Sequence, residues 1–438
     1  MKKKEVINIL ILIVALGHLF GIHCGIIHNT TLQPAFQMLF RKVTAYLDAV
    51  TEASRQEDGT ALTHLFSYDC LSHGLGHQFA RMDVRQAIRN NAAVKRVAHV
   101  PELLEPFLRA AGCLADQEVE KAFEHHRSAF VLAGDLYKDL QEEWLLNLMR
   151  KLARGLRLLA QKVDKEKVRF DPIMNEAVKA ISDKFRLFGT VTASGRRRVA
   201  LMLANEQIIC YLQLNNPRQC KPLTDWADAR HKLTDDDFTS GEFAQADAVT
   251  YHFLRARLFL LDTNYIEAER FLTYAFRHCP AAAHRNKRTI LSYMVPVKLN
   301  LGLLPRRGLL ERFQLKEFEA LVAALRDGDF RLYQEQLDKY QDDFIARGVY
   351  IILEKLKLFV YRNFFKKIWV LKGKESRLSI ELIMRLHQGL DPASDVDIDE
   401  IECLLANLIY KGSIRGYIAH EKRILVLSKD KPFPSPQS

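Results

Sequence analysis

The stretch LLANLIYKGSIRGYIAHEKRILVLSK, residues 404–429, decides the fold of this chain. An apolar helix runs into Gly412, and two short alternating segments, 413–419 and 423–427, flank a charged turn at 420–422. A helix followed by a two-stranded wing is the tail of a winged helix, and the rest of that module is expected just upstream. VYIILEKLKLFVYRNFFKKIWVLK, from Val349, reads as a long first helix, RLSIELIMRLHQGL, from Arg377, as a second, and DIDEIECLLANLIYK, from Asp397, as the third. The ending KPFPSPQS is proline-rich and reads as an unstructured tail.

Working towards the N-terminus, nearly every segment from about Leu32 to Lys372 has helical periodicity. The clearest unit is AVTYHFLRARLFLLDTNYIEAERFLTYAFRHCP, residues 248–280. Its first helix sets Tyr251, Leu254, Leu258 and Leu261 on one stripe, 262–264 make the turn, and Ala268, Phe271, Leu272, Ala275 and Phe276 repeat the stripe. Such hairpins cannot bury a face alone and stack into a solenoid. Weaker versions follow in TILSYMVPVKLNLGLLP with LLERFQ, then in EFEALVAALRDGDFRLYQEQLDKYQDDF, while residues 141–163 and 199–214 read as earlier layers. TVTASGRRR, 190–198, reads as a small-residue basic loop. The expected fold class is all-α, a right-handed TPR-like helical solenoid followed by a C-terminal winged helix. Its parts are an apolar segment at 1–31, N-terminal repeats at 32–240, further repeats at 241–346, the winged helix at 347–431 and the tail at 432–438.

The chain has 438 residues, 48% of them hydrophobic, which is ample for a packed core. It carries 64 Lys and Arg against 53 Asp and Glu, a formal charge of +11 that favours polyanionic partners, acidic protein as well as nucleic acid. Its seven cysteines are scattered singly, so neither a disulfide framework nor a zinc knuckle is suggested. Against that intracellular pattern, MKKKE precedes an apolar run from Val6 to Ile27 with the charge and hydropathy of a signal peptide or anchor, though His18 and His23 weaken it as a span. A targeting role and a start unused by the folded body both remain open.

Several fragments resemble catalytic or metal motifs and fail. GKES at Gly373 has Ile368 where a P-loop needs its first glycine. DVDIDE at Asp395 starts like a calcium loop, yet Glu400 replaces the required glycine and Ala406 the bidentate glutamate, so helix capping explains the acids better. His73 and His77, with His64 nearby, lack the glutamate of a metalloprotease helix. No cofactor, metal or catalytic residue is expected.

A helical solenoid running into a C-terminal winged helix resembles the PCI module of the proteasome lid, the signalosome and a translation initiation factor. NKRTILSYMVPVKLNLG, ILEKLKLFVYRNFFKK, DVDIDEIECLLANLIYKGSIRGYI and KPFP resemble, more closely, the PCI domain-containing protein 2 family. That resemblance covers roughly residues 130–434 and is strongest after Asn264. It implies a non-catalytic subunit of the nuclear type-two transcription-and-export complex, at the nuclear pore. The implied partners are a GANP-type large scaffold, a small acidic disordered subunit shared with the proteasome lid, and RNA or DNA held through the backbone; a membrane is not implied. The nearest rival is a signalosome-subunit-twelve-like paralogue acting in splicing or transcription elongation, and a membrane-tethered adaptor is the rival from another class.

Charge patterning supplies candidate residues under that resemblance. From Ile345 to Lys431 there are 16 Lys and Arg and 11 acids, six of the acids in one block (Asp391, Asp395, Asp397, Asp399, Glu400, Glu402). The candidates for nucleic acid are Arg362, Lys366, Lys367, Lys372, Lys374 and Arg377 on the first helix and its exit, with Arg415, Lys422 and Arg423 on the wing. Phe364, Phe365 and Trp369 interleave with them and belong to either core or patch. The third helix opens on acids that repel phosphate, so Asp397, Asp399 and Glu400, with Asn407, Tyr410 and Lys411, are candidates for a protein partner instead. Arg285, Lys287 and Arg288 are candidates for holding an acidic clasp, and Arg196–Arg198 form a further basic spot.

Overall fold

In a computed structural model, the structure describes residues 43–434 apart from 72–73, 95–96, 98–99, 141, 168–170, 191–193, 231–241 and 393. The apolar run at 6–27 and His73 lie outside the described residues. Among those described, no helix is long and apolar enough to cross a membrane. The chain divides into two compact units, Met1–Leu254 and Arg255–Ser438.

The first unit is a succession of antiparallel helices: α1 Val43–Arg55, α2 Gly59–Leu65, α3 Tyr68–Leu71, α4 Leu75–Arg81, α5 Val84–Asn90, α6 Val100–Ala115, α7 Val119–Leu140, α8 Glu143–Glu166, α9 Ile173–Gly189, α10 Ser194–Gln213, α11 Lys221–Asp225 and the start of α12, Gln245–Leu261. α7 packs between α6 and α8 because Ala122, Phe123, Ala129, Phe130 and Ala133 recur at helical spacing and are all buried. His126 completes that face. Its ring nitrogens are held by the Leu152 carbonyl at 2.8 Å and the Tyr68 hydroxyl at 2.5 Å, and burial lowers its pKa to about 4, so it is a neutral core residue. Gly155 faces that ring across α8, where a Cβ would strike the imidazole. Thr190–Arg198 is not a loop throughout, a correction to the sequence reading: Ser194 starts α10. Arg197 there binds the Glu242 carboxylate at 2.8 Å and Arg198 donates to the Glu242 carbonyl at 2.5 Å.

The second unit continues the helical pairing with α13 Tyr265–His278, α14 His284–Asn300, α15 Arg307–Arg312, α16 Lys316–Asp327, α17 Phe330–Lys339 and α18 Gln341–Arg347. Asn264 caps α13 by accepting from the Glu267 N–H at 3.2 Å. Ala268, Leu272 and Ala275 are buried as the stripe predicts, whereas Leu261, at the end of α12, is 53% exposed.

The C-terminal module follows: α19 Tyr350–Lys355, α20 Lys357–Leu371, β1 Arg377–Ser379, α21 Ile380–Leu390, α22 Ile398–Tyr410, β2 Gly416–Ala419 and β3 Ile424–Leu427. The expected long first helix is broken at Leu356, whose N–H bonds three residues back to Leu353, turning both fully buried leucines into the core. Gly328, left-handed at the end of α16, lets α20 approach so closely that a Cβ there would fall on the Phe364 backbone nitrogen. The wing has three strands instead of two, in the order β1-β3-β2, all antiparallel. β1 was hidden in the sequence because RLSIEL reads as one amphipathic helix start, while its pairing partner β3 lies far along the chain. The tail is docked as far as Pro434, a second correction: Pro432 and Pro434 are buried, Pro432 accepts from the Arg415 N–H at 2.8 Å, and Phe433 packs against Trp369.

Candidate functional site

The sheet register determines which basic residues meet. Arg377 lies opposite Val426, which lies opposite Tyr417, so these three share one face; Leu378, Leu425 and Ile418 share the other, turned to the core. Leu427 donates to the Ser376 carbonyl at 2.7 Å and Ser428 to that of Arg415 at 2.9 Å. The α20–β1 turn with Lys374, then Arg377, and Arg415 therefore converge on one end of the sheet. Lys422 and Arg423 lie in the wing turn at the opposite end, where the Arg423 carbonyl accepts from Ile380 at the start of α21. Lys374 (φ 63°) and Arg423 (φ 51°) both hold left-handed backbone, a mild strain fixed by the surrounding turns.

Lys366, Lys367, Lys372, Lys374, Arg377, Arg415, Lys422 and Arg423 are all exposed, and among the described residues none forms a side-chain ion pair. Lys367 reaches only the Asp327 carbonyl, at 3.4 Å. Exposed cations without a carboxylate partner can take phosphates, with counterion release as the driving term. Arg362 is a correction to the expected set. It is 6% exposed, donates to the Pro434 carbonyl at 2.5 Å and to Asn363 at 2.8 Å, and stands over the Phe433 ring; burial lowers its pKa. Its role is to hold the tail. Phe364 and Phe365 are core. Sequence reasoning passed over Tyr417, 62% exposed beside Arg377's row, because only the register brings an aromatic ring onto that basic face. An exposed ring there can stack on a base of a single strand.

α22 presents a separate surface. Ile401, Leu405 and Leu408 are buried, while Glu400, Cys403, Asn407 and Tyr410 form an exposed face, with Tyr410 at 91% and Asp399 and Lys411 alongside. Asp397 caps the helix, accepting from the Glu400 N–H at 2.8 Å, which gives that acid of the block a structural role. Glu402 instead binds His420 of the wing turn at 2.6 Å, and that hydrogen bond, with the carboxylate charge, raises the His420 pKa.

On the helical layers, Lys287 and Arg288 are half-buried and already engaged within the fold. Lys287 donates to the Phe276 carbonyl at 2.9 Å and lies over its ring, and Arg288 shares the buried Glu317 carboxylate, at 3.1 Å, with Arg347 at 2.9 Å. Both brace neighbouring helices. Arg285 remains exposed.

A model of the PCI domain matches residues 337–429. Among curated relatives, "Enhanced ethylene response protein 5" of Arabidopsis thaliana is 32% identical over 90% of this chain and 95% of its own. "PCI domain-containing protein 2 homolog" of Drosophila melanogaster is 33% identical over 91% and 99%. A "Protein CSN12 homolog" of Neurospora crassa is 33% identical, but over 44% of this chain and 46% of its own.

Proposed function

The chain belongs to the PCI domain-containing protein 2 family, and from that premise we propose that it is the PCI subunit of a nuclear transcription-and-export complex, coupling transcription to mRNA export at the nuclear pore. PCI-domain proteins are in general non-catalytic scaffold subunits, and this chain is of that type. The observation that carries the finer reading is the set of exposed, unpaired cations framing the wing sheet, next to an α22 whose first turn is acidic. In a groove-reading helix the N-terminal residues meet base edges. Here Asp397, Asp399 and Glu400 repel phosphate, so α22 offers its exposed face to the winged helix of a GANP-type scaffold. The sheet edge holds RNA or DNA by its backbone, without reading sequence. A small acidic disordered subunit lies along the helical layers, where Arg285 supplies an exposed cation.

The match along nearly the whole of the Drosophila relative supports this reading over the signalosome-subunit-twelve-like one, whose relative matches over less than half. Co-purification from cells tests it. Recovery of a large winged-helix scaffold together with a small acidic subunit is the expected result; recovery with a different PCI partner alone would transfer the chain to the paralogous complex.

A further inference from the structure

Away from the basic edge, the second unit contains a cavity of about 310 Å³ walled by α17, α20, the end of α21 and the turn after it. Its floor is aromatic. Phe330 stacks on His387 with ring centroids 4.1 Å apart and planes 6° apart, and Tyr361 lies nearly parallel, 5.3 Å from Phe330 and 6.0 Å from His387. His387 lines the cavity and is 1% exposed, yet among the described residues neither ring nitrogen has a hydrogen-bond partner. A buried polar group left unmet is costly, and such groups are rare in folded proteins. Burial lowers the His387 pKa, leaving a neutral ring with one donor and one acceptor.

The charge around this floor has a sign. Arg331 is paired with Glu335 at 3.1 Å, Asp338 accepts from Gln334 at 2.7 Å, and Lys357 points towards Glu354 at 3.9 Å. Among the described lining residues, Asp391 is the carboxylate with neither a side-chain hydrogen bond nor an ion pair. It is anchored as the cap of α21, its N–H donating to the His387 carbonyl at 3.0 Å. The Tyr361 hydroxyl is pushed up first by burial and then by Asp391 and Glu400, the same two carboxylates that oppose the lowering at His387.

We propose that this cavity receives a guanidinium group, the side chain of an arginine on a partner protein. Asp391 accepts two parallel N–H bonds from it and the Tyr361 hydroxyl takes another, while the His387 ring, its nitrogens closed off from solvent, lies within the aromatic stack beneath. The aromatic floor favours a planar cation above it. Arginine suits the site better than lysine because its rigid five-donor fork meets several acceptors at once. The volume is at the small end for ligand pockets, the size for one side chain instead of a cofactor. None of these residues belongs to the basic edge, so this site and the nucleic-acid reading stand or fall separately.

The test uses the full chain alone, with histidine Cε1 labelled, titrated with N-acetyl-arginine methylamide. One histidine signal, identified by its loss in His387→Gln, is expected to shift saturably. The neutral isostere N-acetyl-citrulline methylamide should bind at least about tenfold more weakly, since the charge-assisted contact is lost. Asp391→Asn, at a half-buried position that leaves the aromatic stack in place, should weaken the arginine probe to a similar extent. Absence of a saturable shift, equal binding of citrulline, or an unaffected Asp391→Asn variant would each overturn the assignment.

Discussion

Two sets of basic residues in this molecule have similar composition and opposite circumstances. In the helical layers, Arg157 meets Glu206 at 2.6 Å with both side chains about nine-tenths buried, Arg197 meets Glu242, and Arg288 and Arg347 share Glu317. Around the wing sheet, Lys366, Lys372, Lys374, Arg377, Arg415, Lys422 and Arg423 are exposed and, among the described residues, without carboxylate partners. A formal charge of +11 is thus a poor guide to function by itself. What separates a brace from a binding surface is whether the charge is already neutralised inside the fold.

That contrast can be broken most severely at Glu206. Glu206→Ala leaves a buried guanidinium unpaired and is expected to destabilise the first unit by about 3–5 kcal/mol, while Arg157→Met with Glu206→Leu recovers most of the loss. Denaturant unfolding reads both; a single variant as stable as the parent would show that the pair is no brace. Next is Glu317→Ala, which strips two arginines of one acceptor and should cost about 2 kcal/mol of the second unit's stability, with nucleic-acid affinity unchanged. Reversing Lys366, Lys367, Arg415 and Arg423 together should have the complementary outcome. Affinity falls at least about tenfold and the salt slope shrinks by about four, with the melting transition in place. Unaltered binding and slope would remove the edge from the proposed function.

The smallest effect is expected at His420. Its pKa lies above the ordinary 6.5 in the folded chain, so its bond to Glu402 contributes fully below that value and is lost as pH rises through the raised one. The protection of wing-turn amides relative to their intrinsic exchange rate should therefore fall over that interval, and His420→Ala should abolish that fall without altering the unfolding midpoint of the core.

How far the sequence could be read follows the distance between partners. The hairpin at 248–280, the cap at Asp397 and the outward Asn407, Tyr410 and Lys411 depend on neighbours within a few turns, and periodicity exposes such relations. The partners of Arg362, Lys287 and Arg288 are remote or of a type that periodicity does not expose: the Pro434 carbonyl 72 residues on, a backbone carbonyl beside a ring, and a glutamate 29 residues away. Burial of a cation is invisible to a charge count. β1 was missed for the same reason, since three residues carry no period of their own.

That short strand also orders events in time. β2 and β3 are joined by a tight turn and can pair on the microsecond scale of a hairpin, whereas β1 must wait for α21 and α22 to be in place before it finds β3. The three-residue β1, one of the sheet's two edges, is then expected to be the last strand to pair. The turn carrying Lys372 and Lys374 is thus tied to the sheet through a strand of three residues, with Leu378 as its buried anchor.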